Sequence, residues 1–211
     1  MSMGLIELAA DLEQMLHEAG RRLTAANKGD FQRFILFAAA DFARVRPRTR
    51  RASVTLSADV GEYPAPADLA FVKAATWGTA ERRRRKPWAD NWPGPLPRLT
   101  TFENDDGETA LWIDPAPTRA QINALGSTYS FYYVARHQVA TDPAGTTVRE
   151  ADRELLLVRA MVFALQELAN DNSVKPVRLG DGVGSGPKNG TPAALAKDWY
   201  TEFERLAGIA A

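Results

Sequence analysis

Cysteine is absent from the 211 residues, and histidine occurs only at positions 17 and 137. Disulfides, thiolate metal centres and a histidine-rich metal site are thereby excluded, and catalysis loses its commonest groups. Net charge is missing as well: Lys plus Arg balance Asp plus Glu, so the whole molecule sets up no field that would draw in a polyanion. Long apolar runs are lacking too. The longest, Phe34 to Ala40, falls far short of the roughly 20 residues a bilayer-spanning helix needs. Glu7 and Asp11 stand where a signal peptide would carry a basic flank and an unbroken apolar stretch. The sequence predicts a soluble protein made in the cytoplasm, with no cofactor and no membrane partner.

What is present suits a real core: 45% of the residues are hydrophobic and 25% charged, a globular balance at a length sufficient for one large domain or two small ones. The charge is unevenly distributed. Residues 1–100 carry 16 basic and 11 acidic side chains, leaving the first part positive and the remainder negative by the same amount. Such a split suits head-to-tail contact between copies, and is equally produced by one arginine-rich loop on an ordinary surface.

Apolar periodicity divides the chain. Leu5, Leu8, Leu12, Met15, Leu16 and Ala19 form one stripe on a helix predicted to stop at Gly20, its other face acidic and solvated. Asp30 is a good N-cap for a second helix, with Phe31, Phe34, Ile35, Ala38, Phe42 and Val45 on one side and Pro47 at its end. Aromatic residues at that spacing read as core. Five arginines between Arg44 and Arg51 lead into a strand at Ala52 to Ser57, followed by an extended Tyr63 to Asp68 segment and a further strand at Leu69 to Ala75. Leu99 to Glu103 and Thr109 to Ile113 flank an Asp-Gly turn and read as a hairpin. The prolines of Asp114-Pro115-Ala116-Pro117 end that ladder before an aromatic strand from Tyr129 to Val134, after which His137 reads as a surface or interface residue. Thr147 and Glu150 have capping-box spacing and open the longest predicted helix, to about Asn170, buried through Leu155, Val158, Met161, Val162, Leu165 and Leu168. Thr191 and Pro192 start the last, striped by Leu195, Trp199, Phe203 and Leu206.

Two stretches read as loops. Residues 78–97 hold Arg82, Arg83, Arg84, Arg85 and Lys86, then Trp88 and Trp92 among prolines, and neither helix nor ladder fits them. Basic residues interleaved with tryptophan suit phosphate contact and base stacking on a nucleic acid; they equally suit an interaction loop whose tryptophans pack on the sheet or on a neighbouring subunit. Residues 171–191 form a glycine-rich arm that matches no phosphate-binding pattern, since Pro187 precedes Lys188 and no register gives Gly-x-Gly-x-x-Gly. Neighbouring acids such as Asp152 and Glu154 are explained by a helix N-terminus.

The fold class expected is α+β: a helical bundle from N- and C-terminal segments (1–46 and 141–211) with an inserted antiparallel β module (47–140). Candidate partner-binding residues are Arg82, Arg83, Arg84, Arg85, Lys86, Trp88, Trp92, Trp199 and Phe203, and no catalytic or metal-binding set is expected. The order of elements, with Tyr63-Pro64-Ala65-Pro66-Ala67-Asp68, then Leu111-Trp112-Ile113-Asp114-Pro115-Ala116-Pro117 and the aromatic strand, resembles the adaptor proteins of tailed-phage head-to-tail connectors. Tyr63, Pro64, Trp112, Asp114, Pro115 and Pro117 mark that likeness. Pro64 and Pro66 depart from it, standing where the family usually has Leu-Pro. The resemblance implies a non-enzymatic virion protein at the head–tail junction: a homo-oligomeric ring, dodecameric to match the portal, that binds portal and neck or tail proteins and lets packaged DNA pass without sequence-specific contact. The competing expectation is a nucleic-acid-binding protein using the arginine-rich segments with Trp88 and Trp92.

Overall fold

The computed structural model describes residues 3–25, 30–89, 92–174 and 191–208. The chain divides into two compact units, one made of Met1–Arg46 with His137–Ala211 and the other of Pro47–Arg136. The fold is α+β, with helices at both ends of the chain and two small antiparallel sheets between them.

In the helical unit, α1 (Leu5–Leu16), α2 (Glu18–Ala25), α3 (Phe31–Asp41), α6 (Arg153–Val174) and α7 (Pro192–Ala207) share one apolar core. The first helix does not run to Gly20. It breaks at His17, which adopts φ 45°, and a new helix starts at Glu18. Asp30 caps α3 as expected, its side chain accepting from the Arg33 N–H. The longest helix starts later than its capping-box spacing suggests: Arg153 opens α6 after a single 3-10 turn, while Thr147 exchanges backbone and side-chain hydrogen bonds with Gln138. Leu155 to Val158 are all buried, so α6 is covered on most of its circumference, by α1, α3 and α7. At about 1.5 Å per residue it is a spine of about 33 Å. Ion pairs tie the neighbours to it: Arg33 grips Glu167 at 2.7 Å, Arg159 holds Asp41 at 2.8 Å, and Arg153 meets Asp11. Thr191 and Pro192 start α7 as read from the sequence. The glycine-rich stretch 175–190 lies outside the described residues.

His137 belongs to this unit and is no surface residue. It is half-buried, its ring edge-on to Phe42 at 5.5 Å, and its Nε2 donates to the Arg46 carbonyl at 2.8 Å. Arg46 in turn reaches Asp152 at 3.1 Å and the Ala207 carbonyl at 2.9 Å. The two places where the chain leaves and re-enters the helical unit are thus fastened to each other. The second falls after Arg136, ahead of residue 140, because His137 and Val139 are already part of the helical unit.

In the β unit, the strands are β1 (Arg48–Thr55), β2 (Glu62–Pro64), β3 (Leu69–Ala75), β4 (Arg98–Glu103), β5 (Thr109–Asp114) and β6 (Thr128–Ala135). They form sheets of order β1-β6-β3 and β2-β5-β4. The aromatic β6 is central in the first, with β1 along its full length from Arg48↔Ala135 to Thr55↔Thr128. Alternate residues Tyr129, Phe131 and Tyr133 point into a core that also takes Leu111, Ile113 and Tyr63 from the second sheet. The β4–β5 hairpin closes through Asn104 to Gly107 as the Asp-Gly signal indicates. Two short helices correct the sequence reading. α4 (Thr79–Arg84) forms inside the supposed loop, since Glu81 pairs with Arg84 and Arg85 one turn on. α5 (Arg119–Leu125) follows Pro117, started by a complete capping box between Thr118 and Gln121.

Tyr129 supplies a pH-dependent signature of this core. It is 1% exposed, stacked on Trp77 at 5.5 Å, and burial pushes its phenol up to about 12. The folded state therefore favours the neutral form. Its contribution is complete below the ordinary tyrosine value of about 10 and is lost as pH rises through about 12. A phenolate absorbance titration is expected to show a late-ionising tyrosine accompanied by loss of fold, and Tyr129→Phe should remove that late step; a fully normal titration would contradict it.

Candidate partner-binding surface

Gly78 positions the basic segment. It takes φ 65°, and a side chain there would come within 2.8 Å of Leu96 and Leu125, so only glycine lets the chain turn from β3 into α4 at this spot. Trp77 is buried beside it, its indole N–H donating to the Gly126 carbonyl at 2.9 Å. From α5, Gln121 donates to the carbonyls of Pro93 and Pro95, both at 3.1 Å. Arg85 lies half-buried against the Ala124 carbonyl. The stretch is therefore a seated arm, held at both ends by α5.

Its outer side is cationic. Arg82, Arg83, Arg84 and Lys86 are exposed, and Trp88 is the most exposed large hydrophobic residue described, at 79%. Each tryptophan carries a cation of the same segment: Arg82 lies over Trp92 at 5.8 Å and Lys86 over Trp88 at 5.4 Å. Among the described residues Glu81 pairs with Arg84 and Arg85, and the five basic residues 82–86 leave the arm with a surplus of positive charge.

Trp199 and Phe203 sit on α7 in the helical unit, whereas the arm belongs to the β unit. Phe203 is core, 3% exposed, and Trp199 is half-buried against the same core. The stripe that singled them out packs the bundle, and Phe203 offers no surface to a partner.

The marker residues have structural work. The Tyr63 hydroxyl accepts from the Ser57 N–H at 2.9 Å and reaches the Val60 carbonyl at 3.1 Å, closing the turn before β2. Pro64 lies on the edge strand β2, where its missing N–H costs no ladder bond. Trp112 packs edge-on against Phe102 at 5.9 Å while 43% exposed. Asp114 and Pro115 are exposed at the end of β5, joined by a cis peptide, and the buried Pro117 accepts from the Asp59 N–H.

Asp68 carries more than its place in the Tyr-Pro-x-Pro-x-Asp segment suggests. It accepts from the Tyr133 hydroxyl at 2.8 Å and from Arg50 at 2.5 Å, with Arg48 at 3.7 Å. Burial works against its charge, but the Tyr133 hydroxyl and the two arginines outweigh it and hold the carboxyl below its ordinary value. Burial and the Asp68 carboxylate raise the Tyr133 phenol. The alternating arginines of β1 are the sequence signal for this network, since residues two apart share a face.

Among the described residues no group of three His, Cys, Asp or Glu side chains could hold a metal ion, and no helix is long and apolar enough to cross a membrane. A helical unit and a β unit that bears a seated cationic arm fit a structural binding protein. The chain belongs to the SU10 adaptor protein family, whose model matches residues 3–211; it is a structural adaptor protein of phage heads and tails, and the family places it in the virion at the head–tail junction. No curated protein matches it.

Proposed function

We propose that copies of this chain form a ring, a dodecamer matching the portal, that seats beneath the portal oligomer, lines the DNA channel and presents a platform for the next neck or tail protein. The observation that carries this reading is the family match across residues 3–211. Closed rings need heterologous contacts between unlike faces, and the uneven charge of the chain supplies them. The role is mechanical and needs no chemistry. Mass measurement and electron microscopy of the chain alone and with its portal protein are expected to show a ring, at least in the portal's presence; a monomer under both conditions would overturn the reading.

The cationic arm is the part of this surface we assign to an acidic portal or protomer surface. Reversing Arg82, Arg83, Arg84 and Lys86 to glutamate is expected to abolish portal association with little change in thermal stability, because these side chains are exposed. Unchanged assembly would sink the assignment. The exposed face of Trp88 favours one further reading, base stacking on single-stranded nucleic acid. Titration of the monomer against single- and double-stranded DNA at two salt concentrations separates them, since tight and salt-sensitive binding would favour the nucleic acid.

A further inference from the structure

The first sheet has an outer face that the core does not use. β1, β3 and β6 contain no acidic residue, and their outer face shows Arg51, Ser53, Thr55 and Thr128 around two exposed aromatics, Phe71 at 52% and Tyr132 at 39%. Arg48 and Arg50 share the Asp68 carboxylate. Arg51 has only the Ser130 hydroxyl, at 3.1 Å, and Lys73 stands exposed at the β3 irregularity between Val72 and Ala74. Neither pairs with a carboxylate among the described residues.

The opposite composition occurs on α1. Its twelve residues contain no Lys or Arg. Leu8, Leu12 and Leu16 face the core, and Asp11 is taken by Arg153. The exposed arc carries Ile6, 60% exposed, with Ala10 and Gln14, flanked on its two sides by Glu7 and Glu13. Neither glutamate pairs with a cation among the described residues. Along the helix Glu7 and Glu13 are about 9 Å apart at 1.5 Å per residue; Arg51 and Lys73 belong to strands about 10 Å apart, one on each side of β6. Each face therefore has an apolar centre with two like charges at its rim, of opposite sign and similar spacing. Apolar centres with charged rims are the ordinary anatomy of a specific interface.

We propose that the outer face of the β1-β6-β3 sheet of one copy receives the outer face of α1 of the next copy, with Ile6 against Phe71 and Tyr132, and with Glu7 and Glu13 against Arg51 and Lys73. This rests on the ring reading and names the contact that builds the ring. A second copy fits better than a nucleic acid, because two cations so far apart are sparse for a polyanion and the matching acidic face exists on the same chain. The contact is heterologous: each copy offers one face of each kind, as a closed cycle requires.

Charge reversal in mixtures tests it. Under conditions where the unaltered chain forms rings, with portal protein if needed, the variants Arg51→Glu/Lys73→Glu and Glu7→Lys/Glu13→Lys are each expected to need at least about tenfold higher concentration to assemble, from like-charge apposition. Mixed in equal amounts they should co-assemble, since every junction then again joins opposite charges. Co-assembly also proves that both variants are folded. Assembly of either variant alone at the unaltered concentration, or failure of the mixture, overturns the proposal while leaving the ring reading intact. Normal assembly with reduced retention of DNA by Arg51→Glu/Lys73→Glu would overturn it in favour of a nucleic-acid face. An unaltered chain that forms no ring with its portal overturns both. Because the chain lacks cysteine, Ile6→Cys and Phe71→Cys in one chain should also yield a disulfide ladder between copies under oxidation.

Discussion

Replacing Phe34 with alanine is expected to cost the helical unit about 3–5 kcal/mol, read as a lower midpoint in denaturant unfolding followed by helical circular dichroism. Phe34 is 1% exposed and sits where α3 meets α6, with Phe31 at 6.4 Å and the Arg33 guanidinium over its ring at 5.1 Å. Both the transfer of the ring from water and the cavity it would leave count against the variant. The surrounding helices cannot collapse into the space, because the Arg33–Glu167 and Arg159–Asp41 pairs hold α3 and α6 in register. Leu36→Ala on the same helix is the control, since Leu36 is 45% exposed and should change stability by less than about 1 kcal/mol. Equal effects at the two positions would refute the placement of the α3 stripe.

Asp41→Ala should destabilise the same unit by about 3 kcal/mol, whereas Asp41→Ala combined with Arg159→Met should recover most of the loss. Arg159 is 13% exposed on its side chain and Asp41 23%. The guanidinium lies over Phe163 at 4.3 Å, Tyr200 at 5.2 Å and Phe203 at 5.4 Å. Removing the carboxylate leaves a cation among rings with little water to replace its partner, a larger penalty than the net worth of the pair. Methionine matches the length of the arginine stem and suits the aromatic surroundings without a charge. A double variant as unstable as Asp41→Ala alone would mean that the aromatic stack needs the cation itself.

Periodicity carried the sequence reading wherever one face of an element is buried. The stripe of α3, the alternation of β6 and the Asp-Gly hairpin all follow from the burial of every third, fourth or second residue. It failed where local chemistry competes. Glu81 turns a run of like charges into a helical turn, and the Thr118–Gln121 capping box was the available signal for α5, overshadowed by the prolines before it. Thr147 shows the converse: a capping-box spacing whose hydroxyl is engaged at Gln138, while the hydroxyl of its neighbour Thr146 donates to the Met3 carbonyl, so the helix starts elsewhere. At the surface, composition found the cationic arm but not its seating on α5, because the anchoring carbonyls belong to backbone and leave no mark in side-chain pattern. Phe203, offered to a partner by the stripe of α7, is core for a related reason. An amphipathic stripe announces burial without saying whether its cover is the same chain or another.

The pairing of Arg48 with Ala135, next to the clasp between Arg46 and His137, has a consequence for how the chain is synthesised and altered. The β unit enters and leaves by adjacent strands, so once folded it presents to the helices a loop whose ends already meet. The length-dependent entropy of closing a flexible segment of about 90 residues, on the order of 4 kcal/mol, is then met within the β unit by its own strand pairing. The N-terminal helices, made first, must wait for α6, and a β unit that folds as it emerges delivers α6 to them at high local concentration. The same geometry predicts that the β unit behaves as a cassette, exchangeable for another module whose termini lie as close together.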